Sequence, residues 1–338
     1  MTVDLNDEPA IIGRSLHDIE KYGTDATAYI AKTVMSTGQK PVLGRKILCD
    51  ISKPHVVLIC GKRGGGKCLD GETEIVLEDG SIKKIKDLEF DARNVMSLDK
   101  EYKIRPAFKS NFYKRNVSKM LELTLNSGKT IRLTPEHPLL TIDGWKPAQE
   151  LAKNSLIATP RKINAFGNSF LTESEIKLLS YLLAEGHTKR KVVWFTNSDK
   201  QIQDEFISCV TQFDQNLEVK RMDKYGFRAV RNEETRRFPK NRHSLRQFLI
   251  QHNAYDLLAK EKTIPQIIFS LPKPKLALFL NRLFSCDGSI YFESNRWRIS
   301  YSSASEKLAK QVQHLLLRFE VISRARNKIT KLNYYITF

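Results

Sequence analysis

The chain has 338 residues, a mass of 38.9 kDa and 41% hydrophobic residues, enough for two or three domains with packed cores and too many for a disordered protein. Its formal net charge is +18 and its pI near 9.6, a balance that points to a polyanionic partner, nucleic acid first among them. Five cysteines without C-x-x-C spacing argue against a zinc site or a disulfide framework, the acidic N-terminus has no apolar leader core, and no apolar run approaches a membrane span; a reducing cytoplasm, with no membrane partner, is the expectation.

Residues 11–52 are polar-rich, with turn signals at Gly13, Gly23, Gly38 and Gly44. The apolar run His55 to Cys60 suits a buried strand and leads into Gly61, Gly66 and Lys67, which fit the phosphate-binding pattern G-x-x-x-x-G-K-[ST] through its lysine. The next residue should be a hydroxyl that binds the Mg²⁺ of a nucleotide, and a helix should open there to face the phosphates. Instead the chain reads Cys68-Leu69-Asp70-Gly71, a thiol followed by turn residues. The pattern is that of a nucleotide loop interrupted inside itself. Residues 54–67 resemble the first strand and phosphate loop of hexameric, DNA-translocating ATPases of the HerA and FtsK kind. The resemblance implies a partial α/β P-loop segment in which Gly61, Gly66 and Lys67 hold ATP only in the uninterrupted host protein. No Walker B strand follows, so ATPase activity is not expected of this chain alone.

From Cys68 onward short strands are predicted. Leu121, Leu123 and Leu125 alternate with polar residues, Asn126-Ser127-Gly128-Lys129 turns, and Ile131 and Leu133 resume the alternation, as in a hairpin. Glu78-Asp79-Gly80 marks another turn. The segments CLDGETEI at 68–75 and Thr134-Pro135-Glu136-His137 are similar to the opening block and the T-x-x-H block of inteins; SIKKIKDL at 81–88 and LLTIDGWKPAQEL at 139–151 are similar to intein sequence as well. The resemblance implies an all-β Hint splicing domain over 68–165, with residues 1–67 as the host segment before it. It implies that Cys68 attacks the carbonyl carbon of Lys67, that His137 strains the scissile amide and protonates its leaving nitrogen, and that Thr134 orients the peptide and helps hold the oxyanion. The residue types suit the roles: a thiol on the residue whose own nitrogen carries the bond, and an imidazole titrating at about 6.5 when unperturbed.

A helix is expected from Ser174, with Leu178, Leu179, Leu182 and Leu183 on its apolar face, ending at Ala184-Glu185-Gly186. The ending recurs at Leu276 to Gly288, where Asp287 precedes the glycine. These segments resemble the paired motifs of LAGLIDADG homing endonucleases, with Glu185 and Asp287 in the acidic positions. The family's small residue near the motif start is Ser180 in the first copy and Arg282 in the second, which puts close helix contact there in doubt. KTIPQIIFSLP at 262–272 and YSSASEKLAKQVQHLLLRF at 301–319 are similar to flanking segments of intein-borne members. The resemblance implies an α+β domain over 166–338 built of αββαββα repeats, the second incomplete, in which the two carboxylates hold Mg²⁺ and double-stranded DNA is cut. From residue 161 on there are 31 Lys and Arg against 17 Asp and Glu, so the positive charge is concentrated where that DNA would lie. Arg221, Lys224, Arg228, Arg231, Arg236, Arg237, Lys240 and Arg242, interleaved with Tyr225 and Phe227, are the expected groove contacts.

No intein C-terminal block, with its penultimate histidine, cyclising asparagine and following Cys, Ser or Thr, is found before Phe338. Thioester formation is therefore expected, and splicing would need a separate C-terminal intein and ATPase fragment. A catalytically inactive DNA-binding protein and one half of a split intein acting in trans stay open beside the active precursor.

Overall fold

A computed structural model describes residues 9–12, 14, 16–25, 27–36, 42–50, 67–189, 192–236, 243–328 and 333–337. It divides the chain into two units, Met1–Gly64 and Gly65–Phe338. In the first, strand β1 (Ala10–Ile12) lies parallel to β3 (Val42–Asp50), which pairs antiparallel with β2 (Thr27–Ser36), and helix α1 (Leu16–Tyr22) connects β1 to β2. The expected strand at 55–60, and Gly61 and Gly66 with it, lie outside the described residues.

The second unit opens with four antiparallel hairpins: β4 (Glu74–Val76) with β5 (Ile82–Lys84), β6 (Val95–Leu98) with β7 (Ile104–Ala107), β8 (Leu121–Thr124) with β9 (Thr130–Leu133), and β10 (Pro138–Thr141) with β11 (Gly144–Pro147). Both expected turns are present. Gly80 and Gly128 adopt φ of +80° and +83°, a region that favours glycine.

Beyond residue 165 the pattern changes to two copies of one layout. The first runs α2 (Glu173–Glu185), β12 (Gly186–His187), β13 (Val193–Thr196), α3 (Lys200–Phe213), β14 (Leu217–Arg221) and β15 (Gly226–Arg231), followed by α4 (Glu233–Arg236), α5 (Ser244–Gln251) and α6 (Gln266–Phe269). The second runs α7 (Lys273–Asp287), β16 (Gly288–Glu293), β17 (Arg296–Ser303), α8 (Glu306–Leu317), β18 (Arg324–Lys328) and β19 (Asn333–Thr337). The sheets have the same order, β12-β13-β15-β14 and β16-β17-β19-β18.

Helix α2 starts where Thr172 and Glu175 form a capping box, and α7 starts at a proline pair that suits a first helical turn. They pack on each other despite the unequal residues at the small position. Ser180 is fully buried, and its hydroxyl donates to Ile176 O at 2.8 Å and across to Phe279 O of α7 at 3.1 Å. Arg282 leaves that interface: its guanidinium forks onto Glu205 of α3 at 2.6 and 2.8 Å, where Lys177 also pairs at 3.0 Å. The doubt that Arg282 cast on helix contact is therefore removed by where its side chain goes.

The hairpins and the helical repeats share a seam around the end of α8. Arg318, with no exposed surface, donates to Gly80 O at 2.5 Å, Phe269 O at 2.6 Å and Ala165 O at 3.0 Å. The Ala325 amide donates to Ser127 O at 3.0 Å. A Cβ at Gly80 would stand 2.5 Å from Phe269 O, and one at Gly128 2.4 Å from Ala325 O, so both turn glycines are also required by this close approach.

Candidate active sites

The first site forms where residues 68–70 lie along β9. Leu69 bridges Leu133, the Asp70 amide donates to Arg132 O at 3.0 Å, and the Arg132 guanidinium pairs with the Asp70 carboxylate at 2.8 Å. This register sets Cys68 opposite Thr134. The Thr134 amide donates to Cys68 O at 3.0 Å, and the Cys68 amide, the nitrogen of the Lys67–Cys68 bond, donates to the buried Thr134 hydroxyl at 3.0 Å. The turn after β9 is closed by the His137 amide donating to Thr134 O at 3.0 Å and is pinned to the end of β11 by Ala148 donating to His137 O at 2.9 Å. Burial, and the positive charge of Lys67, push the His137 imidazole below its ordinary value, so it is neutral near pH 7. Its Nδ1 is buried and without a hydrogen-bond partner. Cys68 is a free, half-buried thiol and Lys67 is exposed. Four expected residues, Lys67, Cys68, Thr134 and His137, thus come to one place.

The second site lies where α2 and α7 end. Gly186 and Gly288 are extended, not left-handed, with φ of −78° and −85°. They are glycines because a Cβ would meet Leu182 O and Phe284 O at 2.4 Å. The chain thereby enters β12 and β16 directly after each carboxylate. Glu185 and Asp287 are half-buried and raise each other's cost of ionisation: desolvation first, then the Glu185 charge, push Asp287 up to about 6, and desolvation pushes Glu185 up. The Glu185 carboxylate accepts from the Asn197 amide group. Lys262 is the cation of the site. Its ammonium donates to Ala184 O at 3.1 Å, Gly186 O at 3.0 Å and Leu182 O at 3.3 Å, satisfying the end of α2, and desolvation lowers it to about 8 against the pull of Asp287 and Glu185. The buried Tyr301 phenol is raised well above its ordinary value by desolvation and by the Asp287 charge.

Residues 75–237 match the family model of the intein splicing domain, and residues 274–337 that of the LAGLIDADG-like domain. The chain carries both. Over 301 residues it is 27% identical to the replication factor C small subunit of Methanocaldococcus jannaschii, a match covering 83% of this chain and 15% of that protein. Over 283 residues it is 28% identical to the replicative DNA helicase DnaB of Synechocystis sp., covering 80% of this chain and 32% of that one. The chain therefore spans less than a third of the length of these curated relatives. Among solved structures, the Ssp DnaB mini-intein variant M86 is 32% identical over 28% of this chain and 61% of that one, with a TM-score of 0.27. The intein model extends past residue 165 into the first helical repeat.

In the LAGLIDADG-like half the sheets sort the cations by register. Lys220 and Arg228 pair across β14 and β15 on the same face as Trp194, whereas Phe195, Phe227 and Ala229 face the helices. Phe227, expected among groove contacts, is instead a core residue, 3% exposed. Arg221 turns back on its own hairpin, donating to Asp223 O and Lys224 O. Arg237, Lys240 and Arg242 lie outside the described residues. The second sheet adds Arg296 and Arg298, which face the same way as Ser300 and Ser289.

Among the described residues no group of three or more His, Cys, Asp or Glu side chains could hold a metal. The carboxylate pair is nonetheless suited to Mg²⁺, which takes one or two protein carboxylates and leaves its other positions to water and substrate phosphates. Two mutually repelling, desolvated carboxylates are also a place where a divalent cation relieves a cost already present. No described helix is long and apolar enough to cross a membrane. Sequence reasoning missed Lys262, Asn197 and Tyr301. The only signal for Lys262 was its place at the head of the KTIPQII segment.

Proposed function

We propose that this chain is an intein-bearing precursor of a P-loop ATPase of the HerA and FtsK kind, which breaks its own Lys67–Cys68 peptide bond and cuts double-stranded DNA with metal held by Glu185 and Asp287. The observation that carries the reading is the Thr134 hydroxyl placed 3.0 Å from the amide nitrogen of Cys68, at the T-x-x-H turn and on the bond that joins the two kinds of sequence.

At the junction, neutral His137 takes the Cys68 thiol proton as Sγ attacks the Lys67 carbonyl carbon. The C–S bond forms and the C–N bond breaks. The proton passes from the imidazolium to the departing Cys68 nitrogen, giving a thioester and a free amine. Thr134 holds that nitrogen and the peptide plane in register throughout. The step is uphill unless the amide is strained, so the seating of residues 68–70 along β9 matters as much as the nucleophile.

At the carboxylate pair, a bound Mg²⁺ would polarise a scissile phosphate and activate water. The chain's own residues position it: Glu185 and Asp287 supply hard oxygens, Asn197 orients Glu185, and Lys262 keeps a positive charge between the helix end and the phosphate. Lys220, Arg228, Arg296 and Arg298 lie on the sheet faces turned away from the helices and would bind the DNA backbone.

Two assays test the halves separately. Dithiothreitol should release residues 1–67 from the chain, and Cys68→Ala should abolish that release. A DNA duplex spanning the uninterrupted ATPase gene should be cut in Mg²⁺, and Glu185→Gln or Asp287→Asn should stop cutting while leaving binding in place. Cleavage that survives both substitutions would remove the nuclease assignment, and release that survives Cys68→Ala would remove the splicing one.

A further inference from the structure

The cross-strand register matches the two helical repeats to each other. Phe195 pairs with Gly186 and Tyr301 with Gly288, each glycine directly following its carboxylate, so β13 and β17 correspond residue by residue. Asn197 and Ser303 then occupy one position. Both close the same turn: the Asn197 side-chain oxygen accepts from the Asp199 amide at 2.8 Å, the Ser303 hydroxyl accepts from the Ser305 amide at 3.1 Å, and Asp199 and Ser305 cap α3 and α8.

The match stops at the carboxylates. Asn197 has a second arm, the amide nitrogen that donates to Glu185. Ser303 has one short hydroxyl, already engaged by Ser305, so the amide that serves Glu185 has no counterpart at Ser303. What the second repeat has instead is a phenol. Phe195 and Tyr301 are both fully buried, the first stacked on Phe206 with ring centroids 4.4 Å apart, the second 5.3 Å from Phe284. Phe195 shows that a ring without a hydroxyl fills this place, so packing alone does not call for the Tyr301 oxygen. Burying that hydroxyl carries a desolvation cost, and among the described residues no hydrogen bond closes on it. The polar side chains facing it are Asp287 and Ser303, and an ionised Asp287 can only accept.

We propose that Tyr301 is a positioning residue for Asp287: its hydroxyl donates to one carboxylate oxygen and leaves the other turned to the divalent cation, as the Asn197 amide does for Glu185. The inference rests on the proposed metal-holding role of the carboxylate pair and adds to it a buried residue that acts through Asp287. A donor behind a ligand fixes which oxygen the ligand presents and how firmly. The two carboxylates are then held by donors of different chemistry, reaching from strand positions two residues apart.

The test measures Mn²⁺ binding to the full chain without DNA, from the electron paramagnetic resonance of the free ion, together with the Tm of the metal-free chain. If neither Glu185→Gln nor Asp287→Asn lowers Mn²⁺ binding, the metal reading itself fails and takes the inference with it, a result reached without any Tyr301 variant. Where those substitutions do lower it, Tyr301→Phe should weaken Mn²⁺ binding about tenfold, as loss of a ligand's hydrogen-bonding partner does. The metal-free Tm should hold or rise, because an unpaired buried hydroxyl has gone. Adding Ser303→Asn, which transplants the arrangement of the first repeat, should restore most of the affinity. Equal Mn²⁺ affinity of Tyr301→Phe and the unsubstituted chain would overturn the proposal. So would a weakening that comes with a lower metal-free Tm and is not recovered by Ser303→Asn, because the phenol would then matter through packing alone.

Discussion

At the Lys67–Cys68 junction the imidazole is kept neutral and the reacting peptide is held by backbone register on the rim of a hairpin. At the ends of α2 and α7, by contrast, two carboxylates and an ammonium are gathered into a half-buried space where each resists being charged. The first arrangement costs little to fold, because its pieces are backbone hydrogen bonds and one hydroxyl. The second is electrostatically expensive without a divalent cation or a phosphate, and groups held against such a cost mark working sites more often than structural ones. Substitutions should therefore separate the two centres cleanly, except where they strike the shared seam.

The largest separation is expected from Lys262→Met. It removes the cation facing both carboxylates while keeping an aliphatic stem, and DNA cleavage should fall by about 10²–10⁴-fold, the range lost with a positioned acid–base or charge-bearing group. Thiol-induced release of residues 1–67 should be unchanged. A parallel loss in both assays would show that Lys262 matters through folding alone.

Acidity gives the next contrast. Asp287 is raised to about 6, so its ionised form, the one that can hold a metal, is lost as pH falls through that value, and single-turnover cleavage should drop about tenfold for each further pH unit. Lys262, lowered to about 8, loses its charge as pH rises through that value, which closes the profile on the alkaline side. The same shift fixes a stability effect. Because the folded value of Asp287 lies above its ordinary 3.8, the metal-free fold loses stability as pH rises from about 4 to about 6, and Asp287→Asn should recover on the order of 1 kcal/mol at pH 7.5, read as a higher Tm without Mg²⁺.

Smaller still is Thr134→Val. It leaves the Cys68 amide without its acceptor, a net loss of about 1 kcal/mol, so dithiothreitol-induced release should slow by roughly three- to tenfold with DNA cleavage intact.

What could be read from the sequence were features fixed by local spacing or by residue type. The turns at Gly80 and Gly128 and the recurrent helix with an acidic residue before glycine depend on patterns a few residues long, whereas the pairing of Cys68 with the distant T-x-x-H turn is implied only by the resemblance to inteins. The features that were not legible arise from contacts across long stretches of chain. Lys262 reaches the end of α2 from a loop with no periodicity, and Arg318, which no local pattern singles out, is buried because three carbonyls from separate elements converge on it. Phe227 was assigned to a DNA-facing stretch because its neighbours are charged, yet strand alternation turns it inward beside Phe195.

The mildest prediction concerns the joint between the two carboxylate-bearing helices. Ser180 joins them with one interhelical bond to Phe279 O, while its counterpart position holds Arg282, whose side chain is tied to Glu205. The asymmetry means that the helices are registered by a small polar contact on one side and by an ion-paired side chain on the other. Ser180→Ala removes the first without opening a cavity and leaves Phe279 O short of a donor other than its helical one, so destabilisation should be about 1 kcal/mol. Ser180→Leu should be far worse, since the fully buried site has no room for three more carbons. If Ser180→Ala instead lowered DNA cleavage sharply at unchanged Tm, the hydroxyl would be setting the spacing of Glu185 and Asp287 and not merely packing α2 on α7.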